Sequence, residues 1–252
     1  MQTEARPEAR LKAAVIDRLF SSAHVDQDSV LVSEMVVENW ARRADVVLAN
    51  GKLWAFEIKS ELDSLARLPG QIEVFSRSFE KFVVVVAAKF EDAARNLIPE
   101  GVGLWVEMAD GSLRERARPK INTLSKSAAI RMMTASELRR LLACNGSAGI
   151  AAFPRSELER LASYLPASDL ANAARDAIKR RHRARHASFC DARSTTGTLS
   201  ALTSLRRRDS RLPGVALEQP SICMPLPPVA VPLHHPAIVI APAGPVLRRI
   251  KR

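Results

Sequence analysis

Residues 42–71 read RRADVVLANGKLWAFEIKSELDSLARLPGQ, and their pattern predicts a β-hairpin followed by helical structure. β-branched and aromatic residues stand on both sides of Asn50-Gly51, a dipeptide that suits a tight reversal of the chain. We therefore expect two antiparallel strands, over residues 43–49 and 53–60.

The second of these strands carries an acid and a base among apolar residues. Side chains alternate along a strand, so Trp54, Phe56 and Ile58 would share one face, while Glu57 and Lys59 would share the other. Two opposite charges on one side of a sheet are unusual, because ionised groups are costly to bury unless they are paired or bind an ion. This face is the first candidate for a functional site.

The first strand adds a second carboxylate, Asp45, whose position depends on the register of the hairpin. A plain two-residue turn would place it on the face away from Glu57. A three-residue loop over residues 49–51, with Gly51 in a left-handed bulge, would set Asp45 beside Ala55 and diagonal to Glu57. Diagonal neighbours lie ~7 to 8 Å apart at most, which brings two carboxylates within reach of one ion. We predict this bulged hairpin.

Asp45, followed after eleven residues by Glu57-Ile58-Lys59, resembles the PD-(D/E)XK nuclease superfamily, which has the restriction-endonuclease-like fold. The ordered series RADVV, FEIKS, DSL, RLPGQ and ELRRLL resembles an uncharacterised bacterial branch of that superfamily, over residues 4–185. Ala44 stands where the superfamily's name has proline. The resemblance implies a metal-dependent endonuclease that hydrolyses phosphodiester bonds in DNA, in repair or in defence of the restriction type.

The same resemblance implies a division of roles among these residues. Asp45, Glu57 and the backbone carbonyl of Ile58 would bind Mg²⁺ or Mn²⁺, which prefer oxygen ligands. Lys59 would orient or deprotonate the attacking water and stabilise negative charge. Related nucleases often take a further acid from an N-terminal helix, where this chain has Glu8.

Glu34 interrupts a run of valines in the predicted first strand. A buried acid there needs a partner, so Glu34 is a candidate to support the catalytic set or to act as a third metal ligand. The alternative is an ion pair with Arg42 or Arg43.

Beyond the hairpin, Asp63, Arg67 and Gln71 recur every four residues and would share one helical face. Pro69 predicts a kink or a second helix from about residue 69 to residue 79. In either arrangement Arg67 and Gln71 would turn toward the acids, where the resemblance implies a polar side chain that orients phosphate or water. Alternatively, they form a polar stripe on the helix surface.

The remaining pattern predicts an α/β fold, in which helices flank a mixed β-sheet and the core ends near residue 122. KFVVVVAA at residues 81–88 is typical of a central strand that is buried on both faces. The other predicted elements of the core are two helices, at residues 4–20 and 90–98, and three strands, at residues 28–39, 103–108 and 112–118.

Two further regions follow this core. Residues 134–187 predict a small C-terminal helical bundle, because three amphipathic stretches there begin near serine and acidic residues. Residues 188–252 predict a disordered, basic, Pro-rich tail, since nine of the fifteen prolines lie between Pro213 and Pro245.

The net charge of +11 is concentrated at the C-terminal end. Residues 1–174 are neutral, residues 175–187 contribute +5 and residues 188–252 contribute +6. Such a basic extension favours a nucleic-acid partner, although it also suits a tail that only improves solubility. The predicted phosphate contacts, besides Arg67, are Lys179, Arg180, Arg181 and Arg183.

The cysteines and histidines carry little functional signal. Cys144, Cys190 and Cys223 are widely spaced and lack a CxxC motif, which argues against a disulfide framework and a zinc ribbon. His182, His186 and Cys190 recur every four residues, so they form a candidate metal site. Their surroundings, RRHRARH, favour a solvated basic face instead.

The chain begins without a secretory signal pattern, and its apolar runs are shorter than a membrane span, so we expect a cytoplasmic protein without membrane association. Two other functions remain open. The chain is alternatively a non-catalytic nucleic-acid-binding or adaptor protein that retains the nuclease fold, or a protein that binds a partner through its Pro-rich tail.

Overall fold

The computed structural model describes residues 6–37 and 42–205, all of which belong to one compact unit. Its centre is a six-stranded sheet in which the strands are neighbours in chain order. The strands are β1 (Val30–Val37), β2 (Arg42–Ala49), β3 (Leu53–Lys59), β4 (Lys81–Val86), β5 (Gly103–Glu107) and β6 (Leu113–Ala117).

The sheet is mixed. β1, β2 and β3 are antiparallel, β3, β4 and β5 are parallel, and β6 returns antiparallel to β5. The two parallel connections pass through helices, α2 (Leu68–Ser78) and then α3 (Glu91–Leu97) after a 3₁₀ turn at Ala88–Phe90. Parallel strands require such crossovers. The predicted α/β class, a mixed sheet flanked by helices, is confirmed.

Each face of the sheet is covered by a separate apolar cluster. On one face, α1 (Pro7–Ser21) packs with Phe56, Ile58 and Trp105. On the other face, α2 and the helical residues between 126 and 178 pack with Ala55 and Val84. The central strand β4 contributes alternately to both clusters, as its continuous β-branched sequence predicts.

The helical C-terminal region shares the core of the sheet. Its helices are α4 (Lys126–Met132), α5 (Ala135–Cys144), α6 (Arg155–Ala162), α7 (Ala167–Thr196) and α8 (Thr198–Leu205). Leu138, Leu158 and Ile178 are buried in the same cluster as the strand residues Val47 and Val84. The predicted boundary between a core at 1–122 and a subdomain at 134–187 therefore does not divide the apolar core.

The predicted disorder from residue 188 is wrong for residues 188–205. This segment completes α7 and forms α8, and Phe189, Leu202 and Leu205 are buried against the α1 face of the sheet. The basic composition masked this short apolar pattern. Residues 206–252, which hold the Pro-rich run, lie outside the described residues. No described helix has the length and apolarity needed to span a membrane.

The hairpin between β2 and β3 has a three-residue loop, but its register differs from the predicted one. Val46 pairs with Phe56 and Ala49 pairs with Leu53, which leaves residues 50–52 as the loop. The side chain of Asn50 accepts a hydrogen bond from the Lys52 N–H at 2.9 Å and closes the turn, so the left-handed bulge predicted at Gly51 is absent. Because the register error is two residues, every side chain keeps its predicted face.

Candidate active site

The cleft begins where β2 separates from β3. Val46 and Phe56 form the last backbone pair, and continuing that register would place Asp45 opposite Glu57 rather than beside Ala55, as we had predicted. Instead of a backbone pair, Asp45 Oδ2 accepts a hydrogen bond from the Ile58 N–H at 2.8 Å. The carboxylate thereby replaces the missing backbone acceptor and is held against β3.

Glu57 and Lys59 lie side by side next to the point where β2 separates from β3, on the face that the strand alternation predicts. They are 3% and 4% exposed, and Lys59 Nζ donates to Glu57 Oε1 at 2.8 Å. Gln71 lies near the start of α2, and its Nε2 donates a hydrogen bond to the same oxygen. Neither Glu57 Oε2 nor Gln71 Oε1 receives a hydrogen bond from any residue that the structure describes.

The segment between β3 and α2 is a turn rather than the predicted helix. Asp63 Oδ2 accepts hydrogen bonds from the backbone N–H of Ser60 at 2.8 Å and from its hydroxyl at 2.5 Å. Arg67 precedes the first helical residue, so Asp63, Arg67 and Gln71 do not share a helical face. All three nevertheless line the cleft, because the turn folds back over the ends of the strands.

Glu34 lies opposite Asp45, between the pairs Ser33–Val46 and Met35–Ala44. Its φ of +58° is in the left-handed region, which a non-glycine residue in a strand rarely adopts. This conformation switches the strand's alternation: Met35 and Val37 face the cluster that Val30 and Val32 also face. The regular alternation of side chains along a strand is therefore broken in β1 beyond Ser33.

The Glu34 carboxylate is held by two cations. Lys12 Nζ lies 2.5 Å from one oxygen and Arg43 Nε lies 2.6 Å from the other. The predicted pair with an arginine is confirmed for Arg43. Lys12 was missed, although a lysine on the apolar stripe of α1 is a recognisable signal; it is 4% exposed. Its Nζ is also 3.6 Å from Glu8, and this cation lies among the acids that could otherwise gather a metal ion.

Of the predicted catalytic residues, Asp45, Glu57, Lys59 and Gln71 converge on one cleft of about 250 Å³, whereas Glu34 does not line it. Its lining residues are Glu8, Arg42, Arg43, Asp45, Glu57, Ile58, Lys59, Asp63, Arg67 and Gln71. The Ile58 side chain belongs to the apolar cluster on the opposite face, so its contribution to the cleft comes from the backbone. Oxygen atoms of Glu8, Glu34 and Asp45 also lie within 4.8 Å of one another.

Both central carboxylates have raised pKa values. Burial, followed by the nearby Glu57 carboxylate, raises the pKa of Asp45 to about 7, and the hydrogen bond from Ile58 opposes the shift. Burial also raises the pKa of Glu57, against the opposing effect of Lys59. Two carboxyl groups that are costly to ionise in one cleft favour the binding of a cation.

The predicted phosphate contacts on α7 are mostly engaged within the protein. Lys179 and Arg183 both bind Asp28, and Arg181 binds Glu137 at 2.7 Å. Arg180 is exposed and forms no ion pair with a described residue. The sequence showed the positive charge of α7 but not the acidic partners, which are distant along the chain.

The solvated basic face predicted for His182, His186 and Cys190 is wrong at His186. His186 is buried, and its Nδ1 accepts a hydrogen bond from the Leu31 N–H at 3.3 Å, while Nε2 is 3.5 Å from Cys190 Sγ. Burial lowers the pKa of His186. These contacts fasten α7 to the edge of β1.

Comparisons with known proteins place the chain in a family. A family model described as bacteriophage P4 protein cII matches residues 1–206. "Protein cII" of Enterobacteria phage P4 is 34% identical over 214 residues, which cover 81% of this chain and 81% of that protein. A solved structure, the SPO1766 protein of unknown function from Silicibacter pomeroyi, matches 60% of this chain and 99% of its own at 23% identity, with a TM-score of 0.39. The family match includes every strand, the cleft and both C-terminal helices α7 and α8. The chain belongs to the bacteriophage P4 protein cII family.

Proposed function

We propose that the cleft is the active site of a Mg²⁺- or Mn²⁺-dependent nuclease of the PD-(D/E)XK type, which hydrolyses phosphodiester bonds in DNA. The observation that carries the proposal is the buried Glu57 Oε2, which receives no hydrogen bond from a described residue. Burying a carboxylate oxygen without a hydrogen-bond partner costs free energy of folding. Gln71 Oε1 is also buried without a hydrogen bond from a described residue. Both are oxygen ligands of the kind that hard divalent cations prefer.

The surrounding groups suit such an ion. Asp45 and Glu57 supply carboxylates, and the backbone of Ile58 faces the cleft. The raised pKa values of the two acids mean that a bound cation would offset the cost of ionising them. When bound, the ion would neutralise a phosphate oxygen and lower the pKa of a water molecule. The protein's own part is to hold these ligands in place through β3 and α2.

Lys59 is the residue best positioned to act on the attacking water. Its ammonium is buried, and its bond to Glu57 at 2.8 Å holds it beside the proposed ligands. From there it would orient the water and stabilise the charge that develops on the phosphate. Arg67, at the mouth of the cleft, is placed to contact a neighbouring phosphate.

The test is cleavage of plasmid and linear DNA in the presence of Mg²⁺ or Mn²⁺. Wild-type protein should cut with the ion and stop in chelator, while Asp45→Ala and Lys59→Met should lose at least about a hundredfold in rate. The control is Lys120→Met, which removes an exposed lysine that follows β6 and does not line the cleft. Cleavage by Lys59→Met at the wild-type rate would refute the assigned site.

A readout independent of cleavage is the binding of Mn²⁺, followed by its electron paramagnetic resonance. Wild type should bind the ion, and Asp45→Ala should not. If the wild type binds DNA in chelator, binds no Mn²⁺ and does not cut, the alternative is correct: a non-catalytic nucleic-acid-binding or adaptor protein on the same fold. The proposed partner contact through the Pro-rich tail lies outside the described residues.

A further inference from the structure

A second and larger cavity, of about 580 Å³, lies along the open edge of β1. One wall consists of six consecutive residues, 32–37, and since alternate strand residues point to opposite faces, this wall is the edge of the strand itself. β1 is the terminal strand of the sheet. The opposite wall is formed by the end of α4 and by one face of α7. We call this cavity the edge groove.

Four arginines line the edge groove, and two of them are fixed in position. Arg155 donates to the Met133 carbonyl at 3.0 Å and pairs with Glu159 at 2.7 Å. Arg181 donates to the Met132 carbonyl at 2.9 Å and pairs with Glu137. These contacts hold both guanidinium groups at the C-terminal end of α4, with part of each side chain still exposed.

The other two arginines supply the excess charge. Neither Arg131 nor Arg185 forms an ion pair with a carboxylate among the described residues, and Arg131 is exposed. Arg185 lies 3.5 Å from His182 on the same helix face. Because the acids near Arg155 and Arg181 are already paired, Arg131 and Arg185 leave the groove positive.

The edge groove meets the catalytic cleft at one ion pair. Glu34 lines the groove, Arg43 lines the cleft, and the two side chains are 2.6 Å apart. Carboxylate oxygens of Glu34 and Asp45 also lie within 4.8 Å of each other, so the groove ends next to the acids of the cleft.

We propose that the edge groove binds the phosphate backbone of the nucleic-acid strand whose cleavable phosphate lies in the catalytic cleft. This inference rests on the proposed nuclease function and assigns the surface that holds its substrate. Arginine binds phosphate oxygens through paired N–H donors, and such contacts position a strand without reading its sequence. Arg131 and Arg185 make the contacts that raise affinity, and Arg155 and Arg181 shape the groove.

The same inference replaces part of the interface predicted from sequence. Arg181 and Arg185 are four residues apart on the groove face of α7, whereas Lys179 and Arg183 share another face and bind Asp28. Thus only one of the two faces of the basic helix points to the substrate.

The experiment measures binding of labelled single-stranded and duplex DNA by fluorescence anisotropy over a range of salt concentrations. All variants are full-length, carry Asp45→Asn to prevent cleavage, and are studied in chelator. The test variant is Arg131→Gln with Arg185→Gln. The control is Arg114→Gln with Arg118→Gln, which removes the same charge at β6, the opposite edge of the sheet. Circular dichroism melting confirms that each variant is folded, and Arg131→Lys with Arg185→Lys keeps the charge.

The groove variant should bind on the order of tenfold more weakly, and its log-log salt slope should fall by about 1.8 on duplex or about 1.4 on single strands. The control should change affinity by less than about twofold, and the lysine variant should recover part of the loss. Equal losses in the groove variant and the control would overturn the proposal, because the attraction would then depend only on net charge. Unchanged binding in the groove variant would overturn it as well.

Failure of the groove and failure of the nuclease give different results. For this comparison both proteins keep Asp45. If the wild type cuts DNA, and the groove variant cuts and binds DNA equally well, the groove proposal alone is refuted. Selective loss of binding in the groove variant, with no cleavage by the wild type, would refute the nuclease and leave the groove as a nucleic-acid surface.

Discussion

Asp45 Oδ2 accepts a hydrogen bond of 2.8 Å from the backbone N–H of Ile58, at the point where β2 and β3 stop pairing. The bond satisfies a strand N–H that has lost its partner in the ladder, so the two strands can diverge without leaving it unpaired. It also holds the carboxylate next to Glu57. The same hydrogen bond therefore accompanies the separation of β2 from β3 and positions the acids of the cleft.

The raised pKa of Asp45 predicts how stability depends on pH. Its value of about 7 lies above the ordinary 3.8, so the folded state binds more protons than the unfolded state between these values. Asp45 thus contributes less to stability as pH rises through that window. Asp45→Asn should be more stable than wild type at pH 8, by about 0.5–2 kcal/mol, with no advantage near pH 4. Urea unfolding in chelator measures this.

An exposed aspartate serves as the control for that experiment. Hydrogen bonds from Ser112 lower the pKa of Asp110, so its contribution to stability is present above pH 4 and lost as pH falls. Asp110→Asn should therefore lower stability at pH 8, opposite in sign to Asp45→Asn. A destabilising effect of Asp45→Asn at pH 8 would contradict the unfavourable ionisation of Asp45.

Gln71 should matter through the orientation of Glu57. Gln71→Met keeps the length of the side chain but removes the donor to Glu57 Oε1 and the oxygen Oε1. Groups that orient metal ligands typically contribute 10–100-fold, so Mn²⁺ affinity and cleavage rate should fall by about that factor. Glu73→Gln, on the exposed side of the same helix, is the control. Equal Mn²⁺ affinity in both variants would exclude this role.

Lys12 and Glu34 should be energetically coupled. Glu34→Gln weakens the charge partner of a lysine that is 4% exposed, so it should cost ~1–3 kcal/mol in the free energy of unfolding. Lys12→Met removes the buried charge, and in the double variant the cost should be smaller than the sum of the single costs. A double-mutant cycle should give a coupling of ~0.5–3 kcal/mol. Additive effects would show that the two side chains act independently.

The backbone at Glu34 predicts an inverted preference between alanine and glycine. In an ordinary strand alanine is the more stable of the two, but at a φ of +58° the Cβ atom is strained. Glu34→Gly should therefore be more stable than Glu34→Ala by ~1 kcal/mol. The same pair of substitutions at Ser33, whose φ is not positive, provides the comparison. Greater stability of Glu34→Ala would rule out strain at this position.

The C-terminal boundary of the folded unit can be located by truncation. Ending the chain after residue 187 removes Phe189, Leu202 and Leu205, which are buried against the sheet. Each buried large apolar side chain contributes ~1.5–3 kcal/mol, so this truncation should lower the free energy of unfolding by more than about 4 kcal/mol. Ending the chain after residue 205 should preserve the fold. Chemical denaturation of both products measures the difference, and equal stability would show that α8 contributes no packing.

Periodicity in the sequence was sufficient to predict the mixed sheet and the side of β3 on which Glu57 and Lys59 lie. The alternation of side chains along a strand is a local property of the backbone, so it survives an error in register. The continuous β-branched run of β4 likewise predicted its burial on both faces. Asp45 was assigned to the correct side for the same reason, since the register error was an even number of residues.

Only the tertiary structure decided which groups surround these residues. Lys12 reaches Glu34 across 22 residues, and Arg181 reaches Glu137 across 44, so no local pattern indicates either contact. The left-handed conformation of Glu34, which propensity opposes, occurs where its side chain pairs with Lys12 and Arg43. Acids from distant elements likewise determine which basic residues of α7 form ion pairs within the protein. The sequence by itself determined the periodic elements and the chemistry available to the site, whereas long-range packing determined the partners, the charge balance and the shape of the cleft.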